Sequence, residues 1–361
     1  MDAELKKEDL KSARRGDLNP AINSKAGDEG EDFIRRNLSY EVLSTSVYQV
    51  SDWASGEDNT IRDAPLLIDF RDANRASDLN KHFSDINGRI VDNGLYVGCF
   101  ESNYNWKVKL VKKYNKGFAY FMLVLNYIFR NIAPPWKYFK NRNQYFINSL
   151  YQDNSLAEVL GRLVFCGFEI INYNEYDNIT YFVVRKKTAP RTDMVSTSRF
   201  IVRLNRVGKG GKIIRIYKVR TMYPFSEFIQ DYVVKINGYD TIGKPNNDFR
   251  LTSCGRIIRK LWIDELPQLV NLIKGDIRIV GVRPISRYGF SSLPKDLQEK
   301  RIRYKPGLIP PSVSLRIKGF KGVIRAEMQY LEEKDKNPLK TDIRYFFLAI
   351  INIITFRVKS S

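Results

Sequence analysis

Two adjacent carboxylates, Asp264 and Glu265, stand in the run Asp248-Phe-Arg-Leu-Thr-Ser-Cys-Gly-Arg-Ile-Ile-Arg-Lys-Leu-Trp-Ile-Asp-Glu-Leu-Pro-Gln-Leu, amid three arginines and a lysine. A carboxylate pair among cations suits phosphate chemistry. One acid can attack phosphorus or hold a divalent cation, and the cations offset charge on the transferred group. Pro267 is tolerated in the first turn of a helix, Leu266, Leu269, Val270 and Ile273 recur at helical spacing, and Gly275 supplies a stop. The spacing therefore predicts a helix starting near Pro267, with Asp264 and Glu265 at its positive end, where an anion is favoured. The plainer alternative makes Asp264 an N-cap and Glu265 an ordinary first-turn acid.

Other cations sit where such a pair could use them. Arg206-Val-Gly-Lys-Gly-Gly-Lys212 precedes a strand-like Ile213-Ile-Arg-Ile-Tyr-Lys-Val-Arg, which carries Lys218 and Arg220. Its glycines read as a hairpin turn, or as a loop whose backbone approaches an anion closely. Farther on, the alternating Ile277-Arg-Ile-Val leads into Gly281-Val-Arg-Pro284. That places Arg283 at a strand end with the following chain stiffened by Pro284, and arginine suits bidentate phosphate contact.

Composition bounds the protein that holds these residues. At 361 residues and 43% hydrophobic, the chain can bury a core and form two folded parts. Its net charge is +20, and between Arg199 and Lys305 there are 23 Lys and Arg against 9 Asp and Glu, so most of the excess surrounds the carboxylate pair. Such a field attracts nucleic acid, anionic lipid headgroups or a nucleotide-phosphate substrate. Cys99, Cys166 and Cys254 are far apart, fit small core positions and form no zinc motif, which suits a reducing compartment. His82, the one histidine, reads as a surface or capping residue and leaves no histidine base. The N-terminus has no apolar signal segment.

Residues 1–36 are polar and charged and read as a disordered tail. From there to about 190, strand-like runs at Pro65–Phe70, Gly94–Phe100 and Tyr181–Arg185 alternate with helix-like segments such as Leu156–Phe165, predicting an α/β unit. Pieces of it faintly resemble the last strands of Rossmann-type methyltransferases, but no glycine-rich cofactor loop accompanies them. Inside this region, residues 117–147 stand apart. The apolar arm from Phe118 to Phe129, with Phe121, Leu123 and Leu125, is too short to span a bilayer, which takes roughly twenty residues. Pro134-Pro135 breaks it, and a basic, aromatic arm with Trp136 follows, as suits a segment that dips into one leaflet or lies at the interface. A buried core helix is the alternative. The segment from Ile343 to Arg357 is apolar nearly all round and also calls for a covering surface.

Taken in order, Tyr217-Lys-Val-Arg-Thr-Met222, Asp248-x-Arg-x-Thr252, Gly255-Arg-x-x-Arg259, Asp264-Glu-Leu-Pro-Gln268, Asn271-x-x-x-Gly-Asp276, Val280-Gly-Val-Arg-Pro284 and Lys305-Pro-Gly307 resemble the bacterial sugar transferase family. These are the monotopic polyprenyl-phosphate phosphoglycosyl transferases, and the resemblance covers residues 199–361. It implies a compact α/β catalytic module with membrane-interface helices, joined to the N-terminal α/β unit. It implies an enzyme that transfers a sugar-1-phosphate from a UDP-sugar to undecaprenyl phosphate at the cytoplasmic face of the bacterial inner membrane. Asp264 would be the nucleophile of a covalent aspartyl-phosphosugar route and Glu265 the position for Mg2+. Lys218, Arg259, Arg283 and Arg250 would lie near the phosphates, with Arg283 ahead of Arg250 for direct contact. Asp248, Arg220 and Pro284 would support them. The product would start a capsule, exopolysaccharide or O-antigen repeat unit; the sugar and the oligomeric state stay open.

The sequence departs from the family in places. Val282 replaces a usual proline, Pro310-Pro-Ser-Val replaces Thr-Gly-Trp-Ala, and the stretch before the basic loop lacks the usual re-entrant helix, a role that residues 117–147 could fill. A catalytically silent scaffold on the same fold is the rival reading. Nucleic-acid binding is a minor one, since no zinc finger, RRM signature or basic helix is present.

Overall fold

The computed structural model describes residues 30–38, 47–50, 62–76, 78–101, 112–115, 117–118, 154–176, 179–192, 200–238, 245–355 and 357–358. They fall into two compact units. One holds the described residues up to 192 together with Pro224–Gln230, and the other holds the remainder.

In the first unit, apolar strand runs assemble into one sheet, ordered β1 (Val47–Val50), β2 (Ala64–Asp72), β3 (Ile90–Glu101), β5 (Ile179–Lys186), β4 (Phe168–Tyr176). The first three strands run parallel, with Leu67 opposite Tyr96 and Ile68 opposite Val97, and β5 lies antiparallel between β3 and β4. Leu66, Leu67 and Ile68 are all fully buried, so β2 is covered on both faces, as a continuous apolar run in a parallel sheet requires. The expected strands at 65–70, 94–100 and 181–185 lie on β2, β3 and β5. Helix Leu156–Phe165 is capped by Ser155, whose hydroxyl accepts from the Glu158 N–H. Helix Leu79–Arg89 is capped by Asp78.

Two expectations change in this unit. Residues 30–37 are helical, with Phe33 and Ile34 buried against Leu66, Ile68, Val97 and Val183, so the polar tail gives way to structure before residue 36. The local composition is polar, but two apolar residues on one face suffice when a sheet is there to cover them. His82 is not a surface residue: its Nε2 lies 3.8 Å from Asp69 Oδ2, and burial, partly opposed by Asp69, holds its pKa below the usual value. Cys99 and Cys166 are buried, and burial pushes the Cys99 thiol up to about 12. Of the candidate membrane residues, Phe118 is described and is exposed. Phe121, Leu123, Leu125 and Trp136 lie outside the described residues.

The second unit begins with a hairpin of β6 (Ile201–Val207) and β7 (Ile213–Val219). The Gly-rich basic stretch is its turn, with Gly210 and Gly211 at φ 66° and 74°, conformations that glycine adopts without steric cost. Past β7, the chain from Thr221 to Tyr223 pairs with Arg250–Thr252 through Tyr223 N–H to Arg250 O and Thr252 N–H to Thr221 O, at 2.9 and 3.0 Å. Thr252 then caps helix Ser253–Lys260 by accepting from Gly255 N–H at 2.8 Å. A short parallel pair, β8 (Arg278–Val280) with β9 (Gly307–Ile309), is closed by helices Lys295–Arg303, Phe320–Lys336 and Pro338–Ile354. Val280, Val282, Leu297, Tyr330, Leu331 and Tyr345 form their common core. Among the described residues, no helix is long and apolar enough to cross a membrane.

Candidate active site

The carboxylate pair sits in a turn just ahead of a helix N-terminus. Asp264 and Glu265 lie in a 3-10 turn, Ile263–Glu265, and the helix that follows, Gln268–Ile273, has six residues and Pro267 at its N-cap. The helix starts beside Pro267 as the spacing predicts, with Pro267 and not Asp264 as its N-cap, and the chain direction ahead of the pair is set by Trp262. Trp262 adopts φ 60°, a left-handed conformation costly for a bulky residue. It turns the chain sharply between helix Ser253–Lys260 and the carboxylates. Strained backbone of this kind persists where the surroundings hold it, commonly at functional sites.

The corner brings the pair against β7. Lys218 Nζ donates to Glu265 Oε1 at 2.5 Å, with side-chain exposures of 17% and 11%. Asp264 is only 2% exposed, so Glu265 is the more open acid. Burial lowers the pKa of Lys218, Glu265 and Asp264 oppose the shift, and Arg283 adds to it. The two elements are locked by Asn271, which is fully buried on helix Gln268–Ile273. Its side-chain amide donates to Arg215 O at 2.7 Å and accepts from Tyr217 N–H at 3.1 Å, taking the place of a neighbouring strand along β7. It also donates to Asp276 Oδ2 at 3.0 Å.

Helix Ser253–Lys260 supplies Arg259, whose Nε donates to Thr221 Oγ1 at 2.9 Å. Its guanidinium has a depressed pKa, chiefly through burial; Asp264 and Asp248 oppose the shift, and Arg283 and Arg250 add to it. The helix can approach this closely because Gly255 has no side chain: a Cβ there would lie 2.1 Å from Thr221 O. Arg250 is 2% exposed, and its Nε and Nη2 donate to both oxygens of Asp248 at 2.8 and 2.7 Å, which braces the loop. Burial pushes the Asp248 carboxyl up, but the hydrogen bonds and charge of Arg250 outweigh it and hold the pKa below the usual range.

Arg283 and Pro284 follow β8, and Arg283 lies within electrostatic reach of Lys218, Arg259 and Arg206. Arg220 is buried just beyond β7, its N–H bonded to Phe200 O at 2.7 Å. The sequence reading did not foresee the positioning roles of Thr221, Trp262 and Asn271. Thr221 and Asn271 lie inside the motifs and could have been singled out as uncharged polar residues at fixed offsets; nothing local marks Trp262.

The cluster therefore holds two carboxylates with Lys218, Arg259 and Arg283, a donor set for a diphosphate. Among the described residues, no group of three or more His, Cys, Asp and Glu side chains could hold a metal. The paired acids still fit Mg2+, which takes one or two carboxylates and completes its shell with substrate phosphates and water.

Residues 184–355 match the bacterial sugar transferase family. The chain is 36% identical over 150 residues to the galactosyl transferase CpsE of Streptococcus agalactiae serotype III, which covers 40% of this chain and 32% of that protein. It is 32% identical over 149 residues to UDP-N-acetylgalactosamine-undecaprenyl-phosphate N-acetylgalactosaminephosphotransferase of Aeromonas hydrophila, covering 40% of this chain and 29% of that one. A third relative, UDP-glucose:undecaprenyl-phosphate glucose-1-phosphate transferase of Caulobacter vibrioides, is 36% identical over 110 residues, 30% of this chain and 38% of its own. The chain thus spans about a third of the length of these relatives. All the residues of the carboxylate cluster fall inside the matched stretch, and it is this stretch, just under half of the chain, that belongs to the bacterial sugar transferase family.

Proposed function

We propose that this chain is a polyprenyl-phosphate sugar-1-phosphate transferase acting on a UDP-sugar and undecaprenyl phosphate, so starting a polysaccharide or glycoconjugate repeat unit. The observation that carries the reading is the buried Asp264-Glu265 pair held against Lys218, with Arg259 and Arg283 in electrostatic reach, inside the matched stretch. The relatives' names supply the substrate class, a nucleotide sugar and undecaprenyl phosphate.

In this reading, an Asp264 carboxylate oxygen attacks the β-phosphorus of the donor. The bond from that phosphorus to the bridging oxygen breaks, and UMP leaves with the electron pair. A phosphate oxygen of undecaprenyl phosphate then attacks the aspartyl-bound phosphorus, the acyl phosphate bond breaks, and the carboxylate is regenerated. Splitting the transfer into two displacements is what a carboxylate nucleophile offers. Lys218, Arg259 and Arg283 stabilise charge on the transferred group, in surroundings where burial strengthens each interaction. Mg2+ held at Glu265 would neutralise diphosphate charge when bound.

The acceptor is a lipid, and the second unit exposes apolar side chains on both sides of the carboxylates in sequence. Ile257, Leu261, Ile263, Leu266, Leu269, Val270 and Ile273 are all at least 38% exposed, with Arg256, Lys260 and Lys274 among them. Apolar groups set among cations suit an anionic membrane surface. We place the protein there, at the cytoplasmic face, without a spanning helix among its described residues.

The test is UMP release by purified, detergent-solubilised protein with undecaprenyl phosphate, Mg2+ and a panel of UDP-sugars. Release with at least one donor, abolished in Asp264→Asn, is expected. A donor labelled in the β-phosphate, supplied without acceptor, should label the wild type and leave Asp264→Asn unlabelled. Full turnover by Asp264→Asn would overturn the assignment.

A further inference from the structure

We infer that Glu327 and Arg301 are positioning residues that clamp the backbone of Arg283, an inference that rests on the transferase reading for its catalytic consequence. The chain around Arg283 is pinned by main-chain pairing at both ends: Gly307 N–H donates to Val282 O at 2.9 Å, and Val207 N–H donates to Ile285 O at 2.9 Å. Between those points Pro284 has no N–H to give. Arg283 itself is held by side chains. Its N–H donates to Glu327 Oε1 at 3.2 Å, and its carbonyl accepts from Arg301 Nη2.

The two clamp residues complete each other. Arg301 Nη1 donates to the second Glu327 oxygen, so one carboxylate and one guanidinium bridge each other and both main-chain groups of a single residue. Glu327 comes from helix Phe320–Lys336 and Arg301 from helix Lys295–Arg303, with side chains 2% and 5% exposed. An ion pair this deeply buried is a poor source of stability, since desolvation offsets the attraction; an apolar pair of similar volume often holds a fold as well. What apolar side chains cannot do is hydrogen-bond to Arg283. The clamp fixes the direction from which that side chain leaves the backbone, and hence its reach toward the phosphates near Lys218 and Arg259.

The test uses the full chain with Arg301→Met and Glu327→Leu together, which fills the space without charge. Hydrogen exchange at the Arg283 amide should accelerate while the melting temperature changes by only a few degrees. UMP release should fall about 100-fold in kcat/KM, the scale of an ångström's misplacement. Arg283→Ala should cost a similar factor in the wild type but less than threefold in the clamp-free background, since the two changes would remove the same interaction. Unchanged exchange at Arg283 would overturn the clamp whatever the enzyme does. Faster exchange with full activity, or losses that simply multiply with Arg283→Ala, would overturn its catalytic role. A wild type that releases no UMP from any donor would instead defeat the transferase reading, and the exchange comparison would still judge the clamp. If the double variant melts early, Glu327→Gln removes the counter-charge from beside Arg301 and leaves only a weaker, neutral acceptor for the Arg283 N–H; exchange at Arg283 should rise less than in the double variant, with about a tenfold loss in kcat/KM, and unchanged exchange and activity would overturn the clamp.

Discussion

Replacing Asn271 with leucine removes three hydrogen bonds from a fully buried side chain: donations to Arg215 O and Asp276 Oδ2, and an acceptance from Tyr217 N–H. The Asp276 carboxylate is partly exposed and can turn to water. The Arg215 carbonyl and Tyr217 N–H would face an apolar group instead, and each unsatisfied backbone group costs about 1–3 kcal/mol. The expected loss is about 2–6 kcal/mol, and at about 2–4 °C per kcal/mol for a unit of this size the second unit should melt about 4–24 °C lower. Thermal unfolding followed by hydrogen exchange on β7 would read this directly. UMP release should fall as well, because Lys218 follows Tyr217 on the same strand and its hold on Glu265 depends on that strand's place. A loss under about 0.5 kcal/mol, with β7 exchange unchanged, would refute the view that Asn271 joins the strand to the carboxylates.

Three further outcomes follow from the geometry. Gly255→Ala sets a methyl 2.1 Å from Thr221 O, backbone against which nothing can rotate away, and should cost at least about 1–3 kcal/mol in a melt, whereas Gly88→Ala meets nothing within 4 Å in its helix and should stabilise by about 0.4–1 kcal/mol. Burial lowers the Lys218 pKa, so a pH–rate profile should lose activity on its alkaline side below the ordinary 10.5; over the same window folding stability should rise with pH, since the unfolded chain binds the extra proton. The pKa of Asp248 is held below 3.8, so its contribution to stability is complete above that value and is lost as pH falls through the folded one; the melting difference between wild type and Asp248→Asn should be largest near neutrality and shrink in acid.

What could be read from the sequence was whatever neighbouring residues decide among themselves. Apolar runs marked β2, β3 and β5, a helix-like run marked Leu156–Phe165, and glycines marked the turn at 208–212. The carboxylates and most of their cations were named because they lie in ordered motifs. Pro267 and the apolar spacing marked the helix start behind the carboxylates, while the left-handed Trp262 that sets the pair's direction leaves no trace in composition. That Arg250 bonds Asp248 could not be read, because an arginine's charge is visible in sequence and its rotamer is not. Glu327 and Arg301 could not be paired at all, since 26 residues separate them and nothing local links either to Arg283. The helix at 30–37 was missed because its apolar residues gain meaning only from the sheet they cover.

The amide of Asn271 also closes an edge. β7 pairs with β6 on one side, and a strand with an open second side presents a row of donors and acceptors to any extended peptide or second copy that meets it. By occupying Arg215 O and Tyr217 N–H, a single side chain removes the two groups with which a visiting strand would begin to pair. The hairpin is thereby kept from growing into a larger sheet beside the carboxylates, and self-association by strand addition is blocked at that edge.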